Sequence, residues 1–422
     1  MQPFTLLIKP TGSDCNLDCK YCFYKHRAPE IGSGRQRMGD DVLEKLVRDY
    51  MQLRFPVAGF SWQGGEPTLM GLDFYKRAVE LQKKYGSPGQ QVSNSLQTNA
   101  ILLNDDWCRF LHDSKFLVGI SIDGPKELHD YYRKDFSGAG TFEKVIKAIE
   151  KCKEHKVEFN ALILLNNKNA EHPDELFDFF VEQGIRYLQF IPCVEPAPLE
   201  PVPFGSSGPR SLTGLDPVTG GVADFSVTPQ QYGEFMCRIF DRWYDYGPQN
   251  LSIRDFDSIL SHCITGQHTI CTFSKQCSQY IVIEHTGDCF PCDFFVEPKW
   301  RLGSIFETPM EKLAAGTKKR AFARAKQSLC NKCLLCRHLA VCRAGCMKDR
   351  APATCHSERQ QPLALSAVEG EESLLSSDKG NFGRESYFCE SYKRFFDYAM
   401  PKFLQIAAAI NAGSPVKTQP FL

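Results

Sequence analysis

A surplus of charge of either sign is missing from this 422-residue chain, in which 50 Lys and Arg face 50 Asp and Glu. So even a balance gives no electrostatic footprint for nucleic acid and no acidic tail, and no nucleic-acid partner is expected. Long apolar runs are missing as well. No stretch approaches the roughly 18 consecutive apolar residues that a membrane span needs. The opening residues carry neither a basic leader nor a long hydrophobic segment, so no membrane partner is expected, and the expected compartment is cytoplasmic. What the chain does have is 42% hydrophobic and 12% aromatic residues, enough to fold, and a length that suits two or three domains. It also has 19 cysteines. Disulfide scaffolds are short secreted chains, so this excess points to metal or redox chemistry.

Six short strand-like runs are visible: Phe4–Lys9, Val57–Trp62, Val92–Gln97, Leu117–Ile122, Glu158–Leu164 and Tyr187–Ile191. Stretches with helical spacing lie between them, at Asp40–Leu53, Phe74–Lys84, Asp105–Ser114, Thr141–His155 and Pro173–Gln183. Six strand-then-helix units in a row predict an α/β fold with a parallel sheet, either a partial (β/α)6 barrel or a doubly wound sheet. In both, the working groups gather at the carboxyl ends of the strands. The division expected along the chain is 1–195 for the barrel, 196–269 for a linker with connecting helices, 270–400 for a small cysteine-rich domain, and 401–422 for a C-terminal helix and tail. A polar segment, 356–385, reads as a surface insertion. The amphipathic stretch Glu390–Ile410 is expected to be helical, with Pro401 kinking or splitting it.

Directly after the first strand comes Cys15-x3-Cys19-x2-Cys22, with Tyr21 before the last cysteine. Three thiolates from one loop can hold three irons of a 4Fe–4S cube and leave the fourth open, whereas a structural zinc site closes with four ligands. This loop resembles the signature of the radical S-adenosylmethionine (SAM) superfamily. Gly64-Gly65-Glu66-Pro67, after the second strand, is similar to that family's glycine-rich motif, in which missing side chains let ligand and backbone approach closely. The resemblance implies a SAM site lined by Tyr21, Gly65, Ser121, Arg133 and Val194. It also implies a radical, made by cleaving SAM, that abstracts an unactivated hydrogen.

Farther on stand Cys277-x9-Gly287-x4-Cys292 and Cys333-x2-Cys336-x5-Cys342-x3-Cys346, and then Cys389. Taken alone, such spacing is shared between zinc ribbons and iron–sulfur sites. Downstream of the first loop it resembles the SPASM extension of radical SAM enzymes. That resemblance implies two further 4Fe–4S clusters, three in all. One would be held by Cys271, Cys277, Cys292 and Cys346, the other by Cys333, Cys336, Cys342 and Cys389. Cys389 is preferred to the nearer Cys355 because Tyr387-Phe388-Cys389-Glu390-Ser391-Tyr392 matches the family's terminal motif. Cys289 and Cys330 fit no ligand position.

The segment Cys292-Asp293-Phe294-Phe295-Val296 narrows the reading further. With Ile8-Lys9-Pro10-Thr11 and Trp62-Gln63-Gly64-Gly65-Glu66-Pro67, it resembles the anaerobic sulfatase-maturating enzymes. The implied reaction oxidises a Cys or Ser, in a Cys/Ser-x-Pro/Ala-x-Arg motif of a sulfatase, to Cα-formylglycine. One hydrogen atom leaves Cβ, one proton leaves S or O, and one further electron must find an acceptor. Asp293 is the candidate base, and Tyr24 and Gln63 are candidate substrate contacts. A carboxylate of ordinary acidity taking a proton from a thiol is uphill by about 6 kcal/mol. Deprotonation therefore accompanies or follows hydrogen abstraction, or the carboxyl is raised by burial. The expected partners are the sulfatase polypeptide and a flavodoxin- or ferredoxin-type reductant, with the chain itself a monomer. Two other readings compete: a SPASM enzyme that crosslinks peptides, and a metal-stabilised protein without chemistry.

Overall fold

The structure, a computed structural model, describes residues 2–24, 35–197, 221–350 and 384–413. Cys355, the expected insertion up to residue 383, and the tail from 414 onward lie outside the described residues. Two compact units emerge. The first takes in 1–122, 126–162 and 277–322, and the second takes in 123–125, 163–276 and 323–422.

The first unit is built on a parallel ladder. Strands β1 (Thr5–Lys9), β2 (Val57–Trp62), β3 (Gln91–Thr98), β4 (Leu117–Ser121) and β5 (Phe159–Leu165, its last three residues counted in the second unit) lie side by side in chain order. Their inner positions are fully buried apolar side chains, among them Leu6, Ile8, Phe60, Trp62, Leu96 and Ile120. Helices α1 (Asp40–Met51), α2 (Leu72–Tyr85), α3 (Asp105–Asp113), α4 (Lys126–Tyr132) and α5 (Phe142–Glu154) connect them. Local chemistry sets the helix starts: Asn104 caps α3 by accepting from Trp107 N–H at 3.0 Å. The expected parallel α/β sheet is the one the chain forms, with strand ends within one residue of the pattern.

One pairing has no local signature. Strand β8 (Tyr280–Glu284) lies parallel to β1 on its free side, in register from Thr5 opposite Tyr280 to Lys9 opposite Glu284. This long-range ladder, with β9 (Asp288–Phe290) and β10 (Gly303–Ser304) beyond it, places 277–322 in the first unit. The grouping therefore differs from the consecutive division expected from sequence.

The second unit contains α6 (Pro173–Glu182), β6 (Tyr187–Pro192), α7 (Pro229–Tyr246), β7 (Ser252–Ile253), α8 (Arg254–Thr265) and a long terminal helix, Cys389–Asn411. A capping box opens α7, with Thr228 and Gln231 exchanging bonds of 3.0 and 3.2 Å. Pro401 does not split the terminal helix, and the boundary expected at 400/401 falls inside it. Two facts explain this. Pro401 is on the exposed side, where the carbonyl that loses its partner can bond to water, and Phe403 packs against Phe240 with ring centres 4.8 Å apart. Among the described residues no helix is long and apolar enough to cross a membrane.

Candidate active site and cysteine clusters

The three-cysteine loop leaves the carboxyl end of β1 and is clamped by the glycine motif after β2. Gly65 N–H donates to Gly12 O and Glu66 N–H to Asp14 O, both at 2.8 Å. A Cβ on Gly65 would lie 2.0 Å from the Asp14 carbonyl oxygen, and Gly64 holds φ at +130°. The missing side chain thus makes room for the cysteine loop's own backbone. Glu66 is fully buried beneath. It accepts from Thr68 N–H and Oγ1, Thr98 Oγ1 and Asn99 N–H at 2.6–3.0 Å, and burial pushes its carboxyl up. Gly65→Ala is expected to lower the unfolding free energy by about 1–3 kcal/mol, read by denaturant titration of the anaerobic protein.

Burial pushes the Cys15 thiol well up, and Glu66, Cys22 and Cys19 add to it. A thiol whose proton affinity is raised by two neighbouring sulfurs suits a cationic cluster, which takes such sulfurs as thiolates. Beside them the Arg133 guanidinium lies over the Tyr21 ring, 5.5 Å from its centre. Two backbone bonds, Asp18 N–H to Lys134 O and Lys20 N–H to Tyr132 O, tie the loop to the segment carrying Arg133. Gln63 N–H donates to Ile8 O at 2.9 Å, at the ends of β1 and β2. Ser121 ends β4 and faces Leu162 in the ladder.

Asp293 follows Cys292, and its Oδ1 is 3.6 Å from the Cys292 sulfur. Its Oδ2 is 3.7 Å from Lys9 Nζ. That ammonium also lies over the Tyr24 ring at 4.7 Å, and the Tyr24 hydroxyl donates to Glu284 Oε1. Tyr24 and Asp293 are thus drawn to one lysine at the end of β1. Lys9 entered the sequence reading only as part of a family segment, with no role, and Glu284 was not singled out. Their signal was a charged residue closing an apolar strand, and each is only 2% exposed.

Burial pushes the Glu284 carboxyl up to about 7, against opposing contributions from Tyr24 and Lys9. A raised folded-state pKa means that its stabilising contribution is complete below the unfolded value and is lost as pH rises toward 7. Glu284→Gln, which keeps an acceptor for Tyr24, should therefore be more stable than wild type at pH 8 by up to about 3 kcal/mol. The difference should vanish near pH 4.5, as unfolding curves at the two pH values would show.

Cys277 and Cys292 share a third missed residue. Lys319, on the helix Thr317–Ala325, is 5% exposed and donates to Tyr280 O (2.6 Å), Pro291 O (3.2 Å) and Cys277 O (3.4 Å). Burial pushes its ammonium down to about 8, and the Cys292 and Cys277 thiols oppose that. Cys289 is apart from this group in bonding, its thiol donating to Gly287 O.

In the second unit a single pocket is lined by Cys333, Cys336, Cys342 and Cys389, with Lys332, Tyr392 and Lys393. Among the described residues the three-ligand group whose atoms all lie within 4.8 Å of one another is Asp105, Glu154 and His155. Cys271 and Cys346 also belong to this unit. Lys326 Nζ donates to Cys271 O at 2.6 Å, and Cys346 precedes a turn whose Lys348 donates to Val194 O at 2.8 Å and pairs with Glu195. Val194 is thereby fixed through its carbonyl.

Residues 10–180 match the radical SAM superfamily, and 271–337 match SPASM, an iron–sulfur cluster-binding domain. The chain is 35% identical over 415 residues to a cysteine-type anaerobic sulfatase-maturating enzyme of Clostridium perfringens, covering 97% of this chain and 100% of that one. It is 36% identical over 404 residues to a serine-type enzyme of Bacteroides thetaiotaomicron, covering 95% and 90%. Among solved structures it is similar to native anSMEcpe with bound AdoMet and Kp18Cys peptide, with a TM-score of 0.79 and 34% identity over 96% of this chain and 99% of that one.

Proposed function

Because the chain belongs to the anaerobic sulfatase-maturating enzymes, radical SAM proteins that form formylglycine, we propose that Asp293 takes the proton from the sulfur or oxygen of the sulfatase Cys or Ser. The observation that carries this is the setting of Asp293: adjacent to a predicted cluster ligand, Cys292, with its other oxygen held toward the buried Lys9 ammonium. A base so placed takes a proton next to the site where an electron must leave. Cys15, Cys19 and Cys22 would hold the cluster at which SAM binds, and the bound pair would supply the radical that removes the Cβ hydrogen.

The protein's own residues do the rest. Tyr21, Gly65, Ser121, Arg133 and Val194 orient SAM. Gly65 N–H is already given to Gly12 O, so it offers its carbonyl to the ligand's ammonium. Arg133, stacked on Tyr21, offers fixed donors to a carboxylate or ribose. Tyr24, braced between Lys9 and Glu284, and Gln63 face the substrate peptide, whose motif is Cys/Ser-x-Pro/Ala-x-Arg. Two more 4Fe–4S clusters use Cys271, Cys277, Cys292 and Cys346, and Cys333, Cys336, Cys342 and Cys389. A flavodoxin- or ferredoxin-type protein delivers the priming electron.

The test is anaerobic incubation of the reconstituted protein with SAM, a reductant and two peptides, one with Cys and one with Ser in the motif. The two kinds of relative are nearly equally similar, at 35% and 36% identity, so both peptides are needed. A mass change matching formylglycine in at least one is required by this reading. Intact peptides alongside normal SAM cleavage would defeat it.

A further inference from the structure

We propose that Lys319 raises the reduction potential of the cluster held by Cys277 and Cys292, making it a better acceptor for the electron the substrate releases. The inference rests on the proposed function for its purpose, though not for its measurement. Lys319 is a buried ammonium that donates to three carbonyls, one of them from Cys277 itself and another from Pro291, the residue before Cys292. Among the described residues it has no carboxylate within ion-pair distance.

An ammonium taken out of water without a counter-charge costs several kcal/mol. Carbonyl dipoles offset part of that. The remaining anionic groups near it are the sulfurs of Cys277 and Cys292 once they are metal-bound thiolates. The second unit repeats the arrangement, since Lys326, 1% exposed, donates to Cys271 O and Thr272 O at 2.6 and 2.7 Å. In both places a buried lysine grips the backbone of a predicted ligand without bonding its sulfur.

Such a placement bears on the electron count. After the Cβ hydrogen atom has gone, forming the C=S or C=O bond releases one proton and one electron. The proton goes to the Asp293 carboxylate, and the acceptor gains one negative charge. Cluster potentials follow net charge and the hydrogen bonding around the ligands. A fixed positive charge therefore favours the reduced form over the oxidised one, and removing it moves the potential to more negative values. Low dielectric keeps that effect from being screened.

The experiment is a redox titration followed by electron paramagnetic resonance on the full chain. It is done in a background with Cys15, Cys19 and Cys22 replaced by Ala, so that only the other clusters report. Lys319→Gln keeps a donor without charge, Lys319→Met removes both, and Lys319→Arg keeps the charge. One of the two potentials should fall in the Gln and Met variants and stay near wild type in the Arg variant, with iron content unchanged. Unchanged potentials in the neutral variants would overturn the proposal. So would loss of iron in both neutral variants, because Lys319 would then be a strut for assembly. Either result leaves peptide conversion by the wild type untouched, and a wild type that fails to convert peptide leaves the potential shift standing.

Discussion

Replacing Asp293 with Asn should lower formylglycine formation by about 10²–10⁴-fold, the usual contribution of a positioned base. Iron content and SAM cleavage should stay at wild-type levels. Asn has nearly the same volume and keeps an oxygen toward Lys9 Nζ, so the packing at the end of β1 is kept while the charge and the ability to take a proton are lost. Asp293 lies against Lys9 Nζ and the Cys292 sulfur, on the proposed path of the proton and the departing electron, so SAM cleavage is expected to survive its replacement. The measurement is paired: 5′-deoxyadenosine by chromatography, and peptide mass from the same reaction. A high ratio of deoxyadenosine to formylglycine is the expected signature, because hydrogen abstraction without deprotonation does not go on to product. Full conversion by the Asn variant would remove Asp293 from the mechanism. Loss of both products together would instead mark it as structural.

Much of this arrangement was legible in the residues, and the boundary of legibility is physical. Strands such as Val57–Trp62 were readable because apolar side chains there satisfy a local period, and the cysteine loop was readable because all three ligands lie within eight residues. The glycine motif was legible through its resemblance to the family's, but the approach of the Asp14 backbone to Gly65 shows only in three dimensions. Lys9, Glu284 and Lys319 were hidden because their roles depend on partners at long sequence distance. The β1–β8 register puts Lys9 beside Glu284 across 275 positions, and no window of sequence contains that pairing. Of the two effects expected of Pro401, kinking or splitting, the split does not occur, because local propensity does not contain the aromatic packing around Phe403.

Cys389 offers the second large effect. Its replacement by Ala should remove one cluster, taking the iron content from about twelve to about eight per chain if three 4Fe–4S clusters are present. Cys389 lines the same pocket as Cys333, Cys336 and Cys342 although it lies 43 positions beyond Cys346 in the chain. It opens the long terminal helix, whose Phe395 and Phe403 pack with Phe240 and Phe256, so its position is held by the core of the second unit. Cys330 is the informative control. Its thiol is hydrogen-bonded with Cys333, yet it does not line the pocket. Cys330→Ala should therefore keep its iron, while Cys389→Ala loses about a third of it. Iron analysis with sulfide quantitation decides between them. Normal iron in Cys389→Ala, with loss in Cys330→Ala, would move the fourth ligand to Cys330 and show that the chain closes this cluster within a single short segment.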